Sequence, residues 1–183
     1  MGMAAPLYYT ADMVRALPDD DHRYEVVHGE LLVSPAPRPW HEEVAGRLYE
    51  IVRAYLRAHP VGHAYGSRSD LSWGLSDVLV SPDLFVVPLD EARQLDWLIL
   101  RTVLLAAEVL SPSSLRSDRF TKRRLYQERG VPLYWVVDSD AQFVEVWRPE
   151  DDFPGVERER LLWQPAGASA PFTLELAELF RAI

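Results

Sequence analysis

Between residues 41 and 58 the apolar positions Val44, Leu48, Ile51, Val52 and Tyr55 fall at offsets of 0, 4, 7, 8 and 11. That is the period of a helix with one buried stripe, and it predicts a long helix there. Upstream, Thr10 can cap a short helix over 11–17, which Pro18 and the acidic loop Asp19–Asp21 bring to an end. The alternation of YEVVHGELLVS about His28-Gly29 predicts a hairpin, with glycine supplying the positive φ of a two-residue turn. His28 could be a ligand, but turn chemistry accounts for it better. A proline-rich stretch, SPAPRPW, links this hairpin to the long helix.

Polar residues and glycines through 62–81 suggest two short strands. A further strand begins at Asp83 and is stopped by Pro88, and LDEARQLDWLILR carries a turn of helix. TVLLAAEVL is an almost continuous apolar run ending in Glu108, the pattern of a strand covered on both faces. SPSS follows as a loop, then a helix over about 115–129, ended by Gly130 and Pro132. PLYWVVD is another apolar strand with QFVEVWR as its hairpin partner, EDDFPGVERER reaches the outer edge, and LELAELF closes as a short helix. The strand–helix–strand unit 103–138 should be a right-handed parallel crossover. The single stripe of the first long helix and the doubly covered strands place the two long helices on opposite faces of a sheet. Residues 1–183 then form one α/β domain, long enough to bury a core.

Composition narrows the chemistry. There is no cysteine, which leaves only histidine and hard oxygen donors for a metal; His59 and His63 have the wrong spacing for zinc. No run approaches a membrane span, and MGMAAPLYYTADM lacks the basic and apolar regions of a signal peptide, so a cytoplasmic protein with no membrane partner is expected. A net charge of −9 argues against loose coating of nucleic acid. Locally the balance reverses: within 116–129, Arg116, Arg119, Lys122, Arg123, Arg124 and Arg129 face only Asp118 and Glu128.

Lys122 is the single lysine among nineteen basic residues. Arginine is a permanently charged fork and lysine a compact, titratable ammonium, so the exception suggests a position that needs the ammonium. Codon bias would explain it equally on composition alone. Glu108 sits at the carboxyl end of its strand, where open α/β sheets bind ligands, and the helix of Lys122 begins near that edge. If the strand of Asp83 runs antiparallel beside that of Glu108, the two carboxylates converge beneath Lys122. Two carboxylates and an ammonium are what a magnesium- or manganese-dependent phosphodiesterase needs. Each residue also has a structural explanation. Asp83 can merely start a strand, Glu108 can pair with Arg119 or Arg123, and Asp118, Lys122 and Tyr126 share a helix face on which an Asp–Lys pair can simply stabilise the helix. Ser111, Ser113 and Ser114 form a hydroxyl-rich loop beside Glu108 that can cap the helix or touch a phosphate. Trp73, Trp97, Trp135 and Trp147 read as core or interface anchors.

The succession YEVVHGELLVSPAP, WHEEVAGRLYEIV, SPDLFVV, AAEVLSPSS, DRFTKRRLYQERGVPLYWVVD and VEVW, over about residues 8–148, resembles the Uma-type restriction endonuclease family of the PD-(D/E)XK nuclease superfamily. The resemblance implies a restriction-endonuclease-like three-layer α/β/α fold with a mixed central sheet. It also implies a Mg2+- or Mn2+-dependent endonuclease acting on DNA. Matched residue by residue, Asp83, Glu108 and Lys122 are the catalytic set, with Asp83, Glu108 and Glu25 toward the metal. His41, Ser111, Arg119, Arg123 and Tyr126 are candidate substrate contacts. The usual lysine position, two after the glutamate, is Leu110, so the set depends on Lys122 as a relocated replacement. A catalytically silent DNA-binding or assembly module is the main alternative, and a phosphohydrolase of small nucleotides a third. A homodimer is expected, since cutting two strands suits a two-fold arrangement. Lys122→Arg is expected to fold with almost unchanged stability and to lose cleavage.

Overall fold

The computed structural model describes residues 8–183; the first residues, on which part of the reading against a signal peptide rests, lie outside this range. Thr10 caps α1 (Ala11–Arg15), its side chain accepting from Met13 N. The strands β1 (His22–Val27) and β2 (Glu30–Pro35) form the expected hairpin. Both turn residues take positive φ, 50° at His28 and 80° at Gly29, so the turn demands the left-handed conformation twice, as a type I′ turn does. Proline at its first turn opens α2 (Pro39–Ala58), and the expected stripe lies against the sheet.

The central sheet has six strands: β3 (His63–Gly66), β4 (Leu84–Val87), β5 (Leu105–Val109), β6 (Tyr134–Asp138), β7 (Phe143–Trp147) and β8 (Gly155–Glu157), in that spatial order. Only β5 and β6 are parallel. Their crossover carries a π-helical turn (Ser117–Lys122) that runs directly into α4 (Arg123–Glu128), following the short α3 (Leu89–Ala92) earlier in the chain. Side-chain alternation then divides the core. Leu84, Val86, Leu105, Ala107, Trp135 and Val137 pack under α2, while Phe85, Val87, Ala106, Tyr134 and Val136 meet Leu125 and Tyr126 of α4. The two long helices therefore lie on opposite faces, giving the three-layer α/β/α arrangement. Trp73, Trp135 and Trp147 are buried, and Trp97 is partly exposed against Tyr65.

Two features differ from the expectation. Only β3 forms within 62–81; the remainder contributes single bridges, Leu71 to Val80 and Val26 to Leu79, because Trp73 and Gly74 turn the chain with positive φ. A second hairpin, β9 (Arg160–Trp163) with β10 (Phe172–Glu175), joins the short α5 (Leu176–Leu179) in covering the α2 side. Its alternation is present in RLLW and FTLE, each with every second residue buried. No helix of the described residues is long and apolar enough to cross a membrane.

Candidate active site

The register of β4 and β5 pairs Leu84 with Ala107. One step further along the same antiparallel ladder, Asp83 comes opposite Glu108, where cross-strand side chains are neighbours. Both belong to the α4 side of the sheet, by alternation with Phe85 and Ala106. The π-helical turn carries Asp118 and Lys122 over that edge, and π-turns recur at functional sites. Arg23 and Glu25, two apart in β1, share a strand face and close the site from the hairpin.

The resulting cluster is almost dry. Glu25, Asp83, Glu108, Asp118, Lys122 and His41 are all buried. Lys122 Nζ lies 2.8 Å from Glu25 Oε2, 3.1 Å from Glu108 Oε1 and 3.3 Å from Asp118 Oδ1. The last contact is too poorly aligned for a hydrogen bond, so Asp118 Oδ1 is buried without a hydrogen-bond partner. Tyr126 donates to Glu108 Oε1 at 3.0 Å, and Ser81 N donates to Glu25 Oε1 at 2.8 Å. Asp83 receives Val109 N at 2.8 Å and His41 Nε2 at 3.2 Å on Oδ2, with Arg23 on Oδ1 at 3.2 and 3.3 Å.

The charges do not balance. Glu25, Asp83, Glu108 and Asp118 face two cations, Arg23 and Lys122, plus one histidine. Burial therefore pushes Glu108 well above the usual carboxyl range, with Asp118, Asp83 and Glu25 adding to the rise and Lys122 opposing it. Asp118 is raised by burial as well, again against the pull of Lys122. Burial would raise Asp83 too, but the His41 hydrogen bond and the Arg23 charge outweigh it and hold that carboxyl at about 2. Burial works against the charge on Lys122, yet Glu108, Glu25 and Asp118 together raise its pKa well above the ordinary value. Its alternative role as half of a solvated helix pair is overturned by this burial, and with it the expectation that arginine would fit without strain.

A cavity of about 30 Å³ is lined by Arg23, Glu25, His41, Asp83, Glu108, Lys122 and neighbouring residues, Ser111 and Asp118 among them; that is room for an ion or a water or two. Among the described residues no three His, Asp or Glu side chains stand ready around one point as a metal site. In chemistry, though not in present arrangement, the donor set suits a hard divalent cation. It is all oxygen and imidazole, it carries surplus negative charge, and both bonds to Glu108 fall on Oε1, with none among the described residues on Oε2. Glu25, Asp83 and Glu108 are the carboxylates that would hold such an ion.

Of the expected substrate contacts, His41 and Ser111 line the cavity. Tyr126 is fully buried beneath Glu108. Arg119 and Arg123 are not brought to the site. Arg119 pairs with Glu145 at 2.8 Å and Asp138 at 3.2 Å, and Arg123 stacks on Trp147 at 4.6 Å and bonds Gln127. Glu108 pairs with neither arginine. Two site residues went unassigned from sequence. From sequence, Asp118 reads only as a helix-face partner of Lys122; Arg23 is not singled out at all, and its two-residue spacing from Glu25 is the one signal that points to it.

Comparison with known proteins agrees with this architecture. A structure similar to this one is that of "a putative nuclease belonging to DUF820" from Anabaena variabilis ATCC 29413, with a TM-score of 0.76 and 23% identity, covering 94% of this chain and 97% of that one. At that identity the likeness establishes the fold. No curated protein matches the chain. The family model Uma2, described as "Putative restriction endonuclease", matches residues 11–179. The chain, with its sheet edge of Asp83 and Glu108 under a helix-borne lysine, therefore belongs to the Uma2 family.

Proposed function

We propose that this protein is an endonuclease that hydrolyses DNA phosphodiester bonds with a divalent cation, magnesium or manganese, held by Asp83, Glu108 and Glu25. The observation that carries this reading is the surplus of buried carboxylates around one small cavity. Burying uncompensated charge is costly, and carboxyls that push one another upward around one cavity are a place a cation would relieve. When bound, such an ion would activate water and neutralise charge developing on the phosphate. Lys122, kept protonated by three carboxylates, orients the attacking water beside the ion as a preorganised charge. Tyr126 fixes Glu108 Oε1 and leaves Oε2 for the ion. His41 keeps Asp83 ionised and in place. A homodimer would bring two such sites to the two strands of a duplex.

A silent DNA-binding or assembly module is the second reading. It is favoured by Leu110, which sits in the apolar core at the position where the superfamily's lysine usually stands. Incubation with supercoiled plasmid and short duplexes in magnesium, manganese and EDTA separates the two. Cleavage in either metal and none in EDTA supports the nuclease, and intact DNA throughout supports the silent module.

A further inference from the structure

Beside four buried carboxylates, a phosphate that meets the bound ion is held better if a protein cation also receives it. The basic side chains lining the cavity are Arg23, His41 and Lys122. Lys122 is committed to three carboxylates and nearly inaccessible. His41 offers one ring nitrogen beyond its bond to Asp83, and that Nδ1 is buried without a hydrogen-bond partner. Arg119 and Arg123, the arginines expected for this task, are tied to Glu145, Asp138 and Trp147.

Arg23 differs from all of these. Its side chain is 25% exposed. It holds Asp83 and the Ser81 carbonyl only through contacts of 3.2 to 3.3 Å, at the long end for hydrogen bonds. It lines the cavity and also a wider adjoining groove of about 360 Å³, whose rim carries the acidic loop Asp19–Asp21, Glu42 and Arg68. Of the basic side chains on that groove, His22 is held to Asp20 at 3.2 Å, which leaves Arg23 and Arg68 to meet a DNA backbone among the carboxylates.

We propose that Arg23 is the phosphate-binding residue of this site: its guanidinium neutralises Asp83 in the metal-free protein and turns to the scissile phosphate when a divalent cation takes over that carboxylate. This rests on the nuclease reading and adds a residue that the catalytic set does not contain. A planar fork is suited to two phosphate oxygens at once. The exchange never leaves Asp83 without a cation, since the divalent ion arrives as the guanidinium turns away.

The test uses Arg23→Gln and Arg23→Lys beside the wild type, each checked for folding by circular dichroism. Manganese alone is titrated against melting temperature. Affinity for a short fluorescent duplex is read by anisotropy in calcium, an oxygen-liganded ion of looser geometry. Both variants should bind manganese at least as tightly as the wild type, because a competitor for Asp83 is weakened or gone. Arg23→Gln should lose duplex affinity by about tenfold or more, with a salt dependence shallower by about one unit, and Arg23→Lys should fall between. Wild-type duplex affinity in Arg23→Gln overturns the proposal. So does a parallel loss of manganese affinity, which would make Arg23 only a support for Asp83. A wild type that cuts plasmid while Arg23→Gln binds duplex normally sinks this inference alone; a wild type that binds no duplex sinks the nuclease reading with it.

Discussion

Lys122 Nζ lies 3.1 Å from Glu108 Oε1, with both side chains only 2% exposed. The chain's lone lysine is thus the counter-charge for a carboxylate at the end of a core strand, and Glu25 and Asp118 share it. Removing the ammonium leaves three buried carboxylates without their cation. Lys122→Met should cost about 3–5 kcal/mol, the usual penalty for breaking a buried ion pair from one side. Lys122→Arg keeps the charge but must fit a larger group into a closed space, and should cost about 1–3 kcal/mol by overpacking. Urea denaturation measures both, and cleavage should be lost in both. An unchanged midpoint in Lys122→Met would contradict the cluster.

Stability of the metal-free protein should depend on pH in a definite sense. Glu108 and Asp118 have folded values above their ordinary 4.5 and 3.8, so folding takes up protons there. Their contribution is present at low pH and lost as pH rises through the raised values. His41, also raised, through its bond to Asp83 despite the opposing pull of burial, acts in the same direction. Asp83, held at about 2, contributes fully above its ordinary 3.8 and loses that contribution only as pH falls toward 2. The melting temperature should therefore peak in mild acid and decline toward neutral pH, and magnesium should flatten the decline. A melting temperature that climbs steadily from mild acid to neutral pH would show the carboxylates to be fully compensated.

Arg119 provides the contrast. It joins the helix to Asp138 and Glu145 and lies outside the cavity, so Arg119→Ala should cost about 1–3 kcal/mol and leave cleavage at the wild-type rate per folded molecule. Loss of cleavage with full folding would return Arg119 to the substrate path.

What the sequence revealed follows from how local each signal is. The stripe of α2, the turn at His28-Gly29 and the apolar run before Glu108 are set by neighbours along the chain, and all three were legible. Asp83, Glu108 and Lys122 were legible as a set because the parallel crossover and the antiparallel neighbour fix which strand ends meet. The basic run 116–129 misled about Arg119 and Arg123, since Glu145 and Trp147 reach them across the sheet from β7. The burial of Asp118 was hidden for the same reason. A charge four residues before a lysine reads as solvated until the hairpin of Glu25 closes over it. The hairpin β9–β10 was missed: the alternation in RLLW and FTLE is there, but each run is only four residues long and follows an acidic, proline-containing tract.

Calorimetric titration of manganese into the metal-free protein, with Asp83→Asn as control, tests the central claim most directly. The wild type should bind a divalent ion and release protons as Glu108 and Asp118 ionise, and Asp83→Asn should lose most of the affinity. No binding by the wild type, or equal binding by Asp83→Asn, would contradict a metal site built on Asp83 and Glu108.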